Sequence, residues 1–155
     1  PLQSVRMGGD RLYAVIGAEK KAVVAVDERT GVRAWTAPVA EHPSGDNTVV
    51  VEAVGRLVVG AVTDDALNVE RTGLVALEDG VVRWRRSLLN PTVAAVAGGR
   101  LFAASLDSVL HQLDPATGET VWSTRTPGPV NSLQVTPGMV LTTIGAQVTA
   151  HPVLR

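Results

Sequence analysis

The sequence predicts an all-β fold, a β-propeller of four blades in which the last blade is incomplete. The first observation behind this prediction is a short pattern that ends in tryptophan and occurs three times, at residues 25–35, 76–84 and 112–122. The second is an apolar strand, a glycine turn and another apolar strand, which occur together four times, at residues 2–15, 48–62, 92–104 and 130–143. Units of roughly forty residues that recur in this way are typical of propeller blades, because each unit buries its apolar face only against the next.

The blades are expected to follow one another along the chain, with boundaries near residues 1–39, 40–88, 89–127 and 128–155. The last blade reaches an expected third strand at residues 147–151 and has no turn, fourth strand or tryptophan after it. The chain begins at Pro1 without an initiator methionine or a signal peptide, within an expected first strand. We therefore expect this segment to be part of a larger propeller.

Strands rather than helices are expected throughout. Short apolar segments such as residues 22–26 and 109–113 are separated by glycine, proline, aspartate and asparagine every several residues. This punctuation predicts strands and turns, and it leaves no room for long helices.

Each residue type in the tryptophan pattern has a structural reason. Asp27 ends the third strand and is expected to accept hydrogen bonds from the turn that follows. Gly31 supplies the positive φ that such a turn often needs. The fourth strand then carries Trp35 toward the neighbouring blade, where we expect it to be largely buried and to act as a staple between blades. The residues with the same expected roles in the other copies are Asp114, Gly118, Trp84 and Trp122.

Composition and charge exclude several classes of function. With 45% hydrophobic and 19% charged residues, the chain can bury a sizeable core and is not expected to be disordered. A formal net charge of −1 provides no basic field for nucleic acid, and the basic run at residues 83–86 lies in a predicted strand. No apolar segment is long enough to span a membrane. The absence of cysteine excludes disulfides, thiolate metal sites and a cysteine nucleophile.

Polar residues that could carry chemistry are scattered along the chain. They are the acidic cluster Asp64, Asp65, Asn68 and Glu70, the histidines His42, His111 and His151, and the serines Ser4, Ser105 and Ser108. The acidic cluster lacks the ligand spacing of an EF-hand and is interpreted as a solvated hairpin loop. The histidines have no partner at metal-ligand spacing, and the serines have no sequence context that activates a hydroxyl. We therefore predict no catalytic, cofactor-binding or metal-binding residue.

Two predicted loops are longer than the others, at residues 37–47 and 63–72. Because strands alternate in direction within a blade, both loops are expected to emerge on the same face of the propeller. Long loops on a rigid scaffold often carry binding function, although neutral insertion is the commoner explanation for any one of them.

The pattern formed by Ala25, Asp27, Thr30, Gly31 and Trp35 resembles the tryptophan-docking repeat of the pyrroloquinoline quinone (PQQ)-type β-propellers. That superfamily includes quinoprotein alcohol dehydrogenases and the propeller lipoprotein of outer-membrane barrel assembly. The second copy departs from the pattern with a turn two residues shorter and a glutamate at the acidic position, and the third has a glutamine at the alanine position.

The resemblance implies two kinds of function. In the dehydrogenases the quinone lies between a tryptophan and a vicinal cysteine pair beside a calcium ion, and this chain has no cysteine. We therefore interpret it as a non-enzymatic binding module for a protein partner, extracytoplasmic by resemblance, that binds neither quinone nor calcium. The alternatives are a fragment of a quinone-dependent dehydrogenase and a sensory propeller that binds a small molecule in its central channel.

The incomplete ring leads to one further expectation. The first strand, at residues 2–6, and the last, at residues 147–151, are expected to have open edges. Because an unpaired strand edge recruits another strand, we expect both to be covered by polypeptide outside this sequence, either the rest of a longer propeller or another copy of the chain.

Overall fold

The computed structural model describes residues 5–17, 21–39, 46–64, 72–136 and 138–153, and these residues form β-strands joined by turns, with no helix among them. In chain order the strands are β1 (Val5–Gly8), β2 (Arg11–Ile16), β3 (Ala22–Asp27), β4 (Arg33–Pro38), β5 (Asp46–Val54), β6 (Leu57–Asp64), β7 (Gly73–Glu78), β8 (Val81–Ser87), β9 (Pro91–Ala97), β10 (Arg100–Ser105), β11 (Val109–Leu113), β12 (Thr120–Arg125), β13 (Ser132–Thr136), β14 (Met139–Ile144) and β15 (Gln147–Pro152). The part of the chain so described holds no helix capable of crossing a membrane.

These strands form four separate antiparallel sheets, each a simple meander. We name them blade one (β1 to β4), blade two (β5 to β8), blade three (β9 to β12) and blade four (β13 to β15). The first strand of each blade contacts the first strand of the next, so β1, β5, β9 and β13 lie side by side along the propeller axis. The predicted all-β propeller with an incomplete last blade is confirmed.

The apolar core lies between the blades. One cluster joins blade one to blade two, with Tyr13 and Val23 packed against Val58 and Leu77. A second joins blade two to blade three, and a third, smaller one joins blade three to blade four. We call these contacts the first, second and third seams. Blades two and three each pack against a blade on both sides. Because side chains alternate between the two faces of a strand, their strands carry apolar side chains on both faces.

Two details of the strands differ from the expectation. Strands β5 and β6 run further toward the loops than predicted, because Asp46 pairs with Asp64 and Asn47 with Thr63. The predicted loops at residues 37–47 and 63–72 are correspondingly shorter, and residues 40–45 and 65–71 lie outside the described residues.

The expected open edge at residues 2–6 also needs correction, and residues 1–4 lie outside the described residues. Strand β1 is the innermost strand of its blade, and its free edge lies along the axis as the edges of β5, β9 and β13 do. Among the described residues, what lies uncovered at this end of the array besides that axial edge is a face of blade one. At the other end, β15 has β14 as its one paired neighbour among the described residues, so an edge of β15 is open there as expected.

Candidate functional site

The tryptophan pattern builds the contacts between blades. Trp35, Trp84 and Trp122 occupy the same place on the outermost strands β4, β8 and β12, each opposite the third strand at Ala25, Ala76 or Gln112. A β-bulge follows that pair in each of the three blades. A bulge increases the local twist and changes the direction of a side chain, so its recurrence here is consistent with a role in aiming the tryptophans.

Each of the first two tryptophans lies over the glycine turn of the following blade. A Cβ atom built on Gly80 would be 3.4 Å from the Trp35 side chain, and one built on Gly118 would be 2.6 Å from the indole of Trp84. Both glycines have positive φ, +81° and +74°. Both turns therefore favour glycine for its positive φ, and at Gly118 the close approach of the Trp84 indole also leaves no room for a Cβ atom.

The acidic residue of the pattern stabilises the same turn. The Asp27 carboxylate accepts hydrogen bonds from the hydroxyl of Thr30 at 2.8 Å and from the backbone N–H groups of Thr30 and Arg29 at 2.7 and 3.1 Å. These bonds, chiefly those from Thr30, hold the pKa of Asp27 below its ordinary value. The backbone N–H of Ala116 donates to Asp114 in the same way at 2.8 Å, so the predicted capping role is confirmed in both blades.

Burial of the three tryptophans is less uniform than expected. Trp84 is buried, whereas Trp35 and Trp122 keep part of their surface exposed. Trp122 contacts His151 of β15 with the ring centroids 6.0 Å apart, and no glycine turn of blade four covers it within the described residues.

The two docked indoles differ in their hydrogen bonds. The Nε1–H of Trp84 donates to the carbonyl oxygen of Pro115 at 2.8 Å, whereas the buried Nε1 of Trp35 has no acceptor among the described residues. Pro115 follows Asp114 in the turn of blade three, and the turn of blade two is two residues shorter. The two docking turns therefore differ both in length and in the acceptor that they offer to the indole.

This difference predicts unequal costs for two matched substitutions. We expect Trp84→Phe to lower the free energy of unfolding by about 1 kcal/mol more than Trp35→Phe, because only the former breaks a hydrogen bond. Urea denaturation of both variants measures the difference. An equal or larger loss for Trp35→Phe would contradict the account of its unpaired nitrogen.

An ion pair crosses the first seam near the short turn. Asp79 lies in this turn with a φ of +51°. Its carboxylate accepts hydrogen bonds from the guanidinium of Arg11 in blade one at 2.9 Å and from that of Arg56 in its own blade at 2.6 Å. The Tyr13 hydroxyl donates to the backbone carbonyl of Arg56 at 3.2 Å. Burial raises the pKa of Tyr13 above its ordinary value, so it remains a neutral donor at physiological pH.

Blade one presents an apolar face that no other blade covers within the described residues. Leu12, the second residue of β2, pairs with Val26 and both remain partly exposed. The equivalent pairs in the next two blades are fully buried in the seams, at 0% exposure for each residue. These pairs are Val58 with Leu77 and Leu101 with Leu113.

The same contrast holds along the innermost strands. Met7, which pairs with Leu12, is 64% exposed, whereas its equivalents Ala53 and Val96 pack against the first and second seams. We call the surface formed by these and the neighbouring side chains the open face of blade one. It comprises Val5, Met7, Leu12, Ile16, Val24 and Val26.

A cavity of about 400 Å³ lies between blades three and four, close to the axis. Its walls come from the ends of β9 and β13, the adjoining glycines and Val153. Thr136 supplies a polar side chain, and no ionisable side chain lines the wall.

The two histidines that the structure describes, His111 and His151, lie on strands of different blades. His111 lies on β11 with Nδ1 buried and unpaired within the described part of the chain, and burial lowers its pKa. His151 lies 3.0 Å from the Thr142 hydroxyl, and burial lowers its pKa too. Both imidazoles are therefore neutral at physiological pH.

Ser105 and Ser108 lie together at the turn between β10 and β11, where the backbone N–H of Ser108 donates to the carbonyl oxygen of Ser105 at 3.1 Å. The Ser105 hydroxyl donates to Asp107 at 2.5 Å, and Ser108 lies in the following turn. Asp64 is the last residue of β6 rather than part of a loop. The other five candidates lie outside the described residues: Ser4, His42, Asp65, Asn68 and Glu70.

Comparison with known proteins agrees with this geometry. Residues 19–151 match the family model described as outer membrane protein assembly factor BamB. No curated protein matches the chain. Among solved structures, BamB from Moraxella catarrhalis is similar with a TM-score of 0.69 and 17% identity, over 96% of this chain and 45% of that one.

Two computationally designed proteins are similar as well. Ika4 gives a TM-score of 0.73 at 13% identity, over 99% of this chain and 91% of its own. Ika8 gives 0.70 at 12% identity, over 98% of this chain and 46% of its own. The chain thus spans less than half of BamB and of Ika8, and similarity at these identities shows the fold alone.

Proposed function

The chain belongs to the BamB family of PQQ-type β-propellers, and from this membership we propose that it is a non-enzymatic scaffold that binds a protein partner. The description of the family refers to assembly of outer-membrane proteins. That description supports a protein rather than a small molecule as the partner, and an extracytoplasmic location for this chain.

The observation that carries the proposal is the match of residues 19–151 to the family model described as an outer membrane protein assembly factor, and the structure offers β15 as a candidate contact strand. Blades one to three each have a fourth strand outside the third, whereas β15 has a neighbour on one side only within the described residues. Residues 147–150 of this strand are exposed. A row of unpaired backbone N–H and C=O groups on an exposed edge is a template for an added strand, which is a recurring mode of peptide recognition.

The polar side chains also fit a scaffold better than a catalyst. Those of Asp27, Asp114 and Asp79 form turn contacts or cross a seam. In the part of the chain that the structure describes, no group of three histidine, aspartate or glutamate side chains could hold a metal ion. The rival proposal is a fragment of a quinone-dependent dehydrogenase whose catalytic residues lie outside this sequence, since the superfamily contains such enzymes.

Site-specific photo-crosslinking tests the proposal. A benzophenone amino acid placed at Val148 on β15, which is 65% exposed, is compared with one at Val81 on β8, which is 59% exposed. We expect Val148 to crosslink to one protein in an envelope extract, and we expect residues 147–152 to gain protection from hydrogen exchange in the purified complex. Val81 should give neither result.

Two outcomes would contradict the scaffold proposal. One is equal crosslinking at the two positions, since it would show no preference for the free edge. The other is saturable binding of pyrroloquinoline quinone and Ca²⁺ at micromolar concentration, measured by absorbance and calorimetry, since it would favour the dehydrogenase alternative.

A further inference from the structure

We propose that the second seam is an acid-sensitive contact, in which protonation of His111 places two cations against each other and loosens blade two from blade three. The proposal concerns the middle of the array and does not depend on the partner proposed at β15. It rests on one pair of facing positions that differs between the first and second seams.

The first argument is the equivalence of positions in the repeat. Ala37 of blade one corresponds to Arg86 of blade two, because each lies two residues after the tryptophan of its outermost strand. Val75 of blade two corresponds to His111 of blade three, because each comes one residue before the partner of that tryptophan on the third strand. Ala37 and Val75 are both buried in the first seam. The second seam therefore carries two basic side chains where the first carries two apolar ones.

The second argument is the placement of these two side chains in the second seam. The guanidinium of Arg86 donates a hydrogen bond to the Thr120 hydroxyl of blade three at 2.8 Å, and it forms no ion pair within the described residues. His111 pairs with Ala103 of β10, which belongs to the apolar core of the same seam. Because directly opposite residues of paired strands share a face of the sheet, His111 lies on the side of blade three that faces blade two.

The third argument is the environment of the imidazole. The Nδ1 atom of His111 is buried and has no hydrogen-bond partner in the described part of the chain. Burial is the main cause of the lowered pKa of His111; Asp107 opposes this shift and Arg86 adds to it. Asp107 is exposed, and its carboxylate already accepts the hydroxyl proton of Ser105. Among the described residues, Asp107 and Arg86 are the charged groups that act on this imidazole.

The direction of the pH effect follows from the lowered pKa. In the unfolded chain His111 takes up its proton near the ordinary pKa of 6.5, whereas in the folded chain it does so only at lower pH. Its contribution to the free energy of unfolding is therefore fully present above pH 6.5 and is lost as the pH falls through the pKa of the folded state. Because the unfavourable charge lies between blades two and three, acid should weaken that contact.

Hydrogen exchange of the complete natural protein, at about pH 7.5 and about pH 5, tests the proposal on either side of the histidine range. After correction for the intrinsic effect of pH on exchange, we expect acid to lower the protection of residues 109–113 at least about threefold. His111→Val, which introduces the valine found at this position in blade two, should remove the acid effect. An acid effect that persists in His111→Val would overturn the proposal.

His151→Val is the matched control for that variant. His151 is also partly buried on a third strand and also has a lowered pKa, but it lies in blade four. We expect His151→Val to keep the acid effect at residues 109–113. Loss of the effect in this variant would show that the second seam is not its origin, and would contradict the role given to His111.

An NMR titration of the His111 ring protons tests the contact with Arg86 separately. Arg86→Gln keeps a polar side chain in the seam and removes its charge, so we expect it to raise the titration midpoint of His111 toward the ordinary value. Arg33→Gln is the control, because Arg33 is exposed on β4 of blade one, and it should leave the midpoint unchanged. An unchanged midpoint in Arg86→Gln, or equal shifts in the two variants, would show that the two cations do not oppose each other across the seam and would overturn the proposal.

Discussion

Replacing Trp84 with alanine is expected to lower the thermal midpoint by about 6–20 °C. Truncating a buried aromatic side chain costs about 3–5 kcal/mol, and each kcal/mol corresponds to about 2–4 °C in a chain of this size. Trp84 is 9% exposed, lies over Gly118 and donates a hydrogen bond to Pro115. The substitution therefore removes both the packing and the polar contact that join blade two to blade three.

The matched control is Val82→Ala on the same strand. Val82 is 38% exposed, so its truncation should change the midpoint by little. Differential scanning calorimetry also reports cooperativity. Because blades are stabilised mainly by their neighbours, loss of one seam should broaden the transition as blades one and two unfold separately from the rest. A Trp84→Ala protein that melts within 2 °C of the parent, an outcome well below the expected range, would show that the tryptophan is not the staple of this seam.

The sequence alone predicted the parts of the fold that local patterns determine. Strands β3 and β11 and the capped turns at Asp27 and Asp114 all appear where the pattern places them. These features depend on a few adjacent residues, and positive φ at Gly31 confirms the turn geometry. The shortened second turn was visible as well, but the difference in acceptor between Trp35 and Trp84 required knowing that Pro115 accepts the proton of Trp84.

Features that depend on how blades stack were not predictable in the same way. Strand alternation shows that Leu12 and Val26 share a face, but it does not show whether another blade covers that face. The sequence therefore led us to expect an open strand edge near residues 2–6, whereas β1 lies at the axis and the open feature is the sheet face beside it. Similarly, His111 had no partner in the sequence, and only the packing shows that it is half-buried, with an Nδ1 atom that has no partner in the described part of the chain.

Gly73 shows a different kind of constraint, one that the repeat pattern does not reveal. It begins β7, where it pairs with Val62 and Ser87, and its φ is +148°. A Cβ atom there would lie 2.0 Å from the carbonyl oxygen of Arg86 and 3.0 Å from the backbone nitrogen of Leu88. Both atoms belong to the backbone of the adjoining strand β8 and its end, so no side-chain rotation relieves the contact.

We therefore expect Gly73→Ala to destabilise the protein by about 2–6 kcal/mol, the sum of an unfavourable backbone conformation and an overpacked contact. Gly145→Ala is the matched control, because Gly145 also has a positive φ, +56°, but has open space around its Cβ position. This substitution should lower the free energy of unfolding by only about 1–2 kcal/mol, the cost of a left-handed backbone conformation. Urea denaturation followed by tryptophan fluorescence measures both, and Trp84 on β8 reports directly on the strand that must move. An equal loss of unfolding free energy in the two variants would mean that β8 can move away from the new Cβ atom without cost. It would contradict the view that close packing of β7 against β8 stabilises blade two.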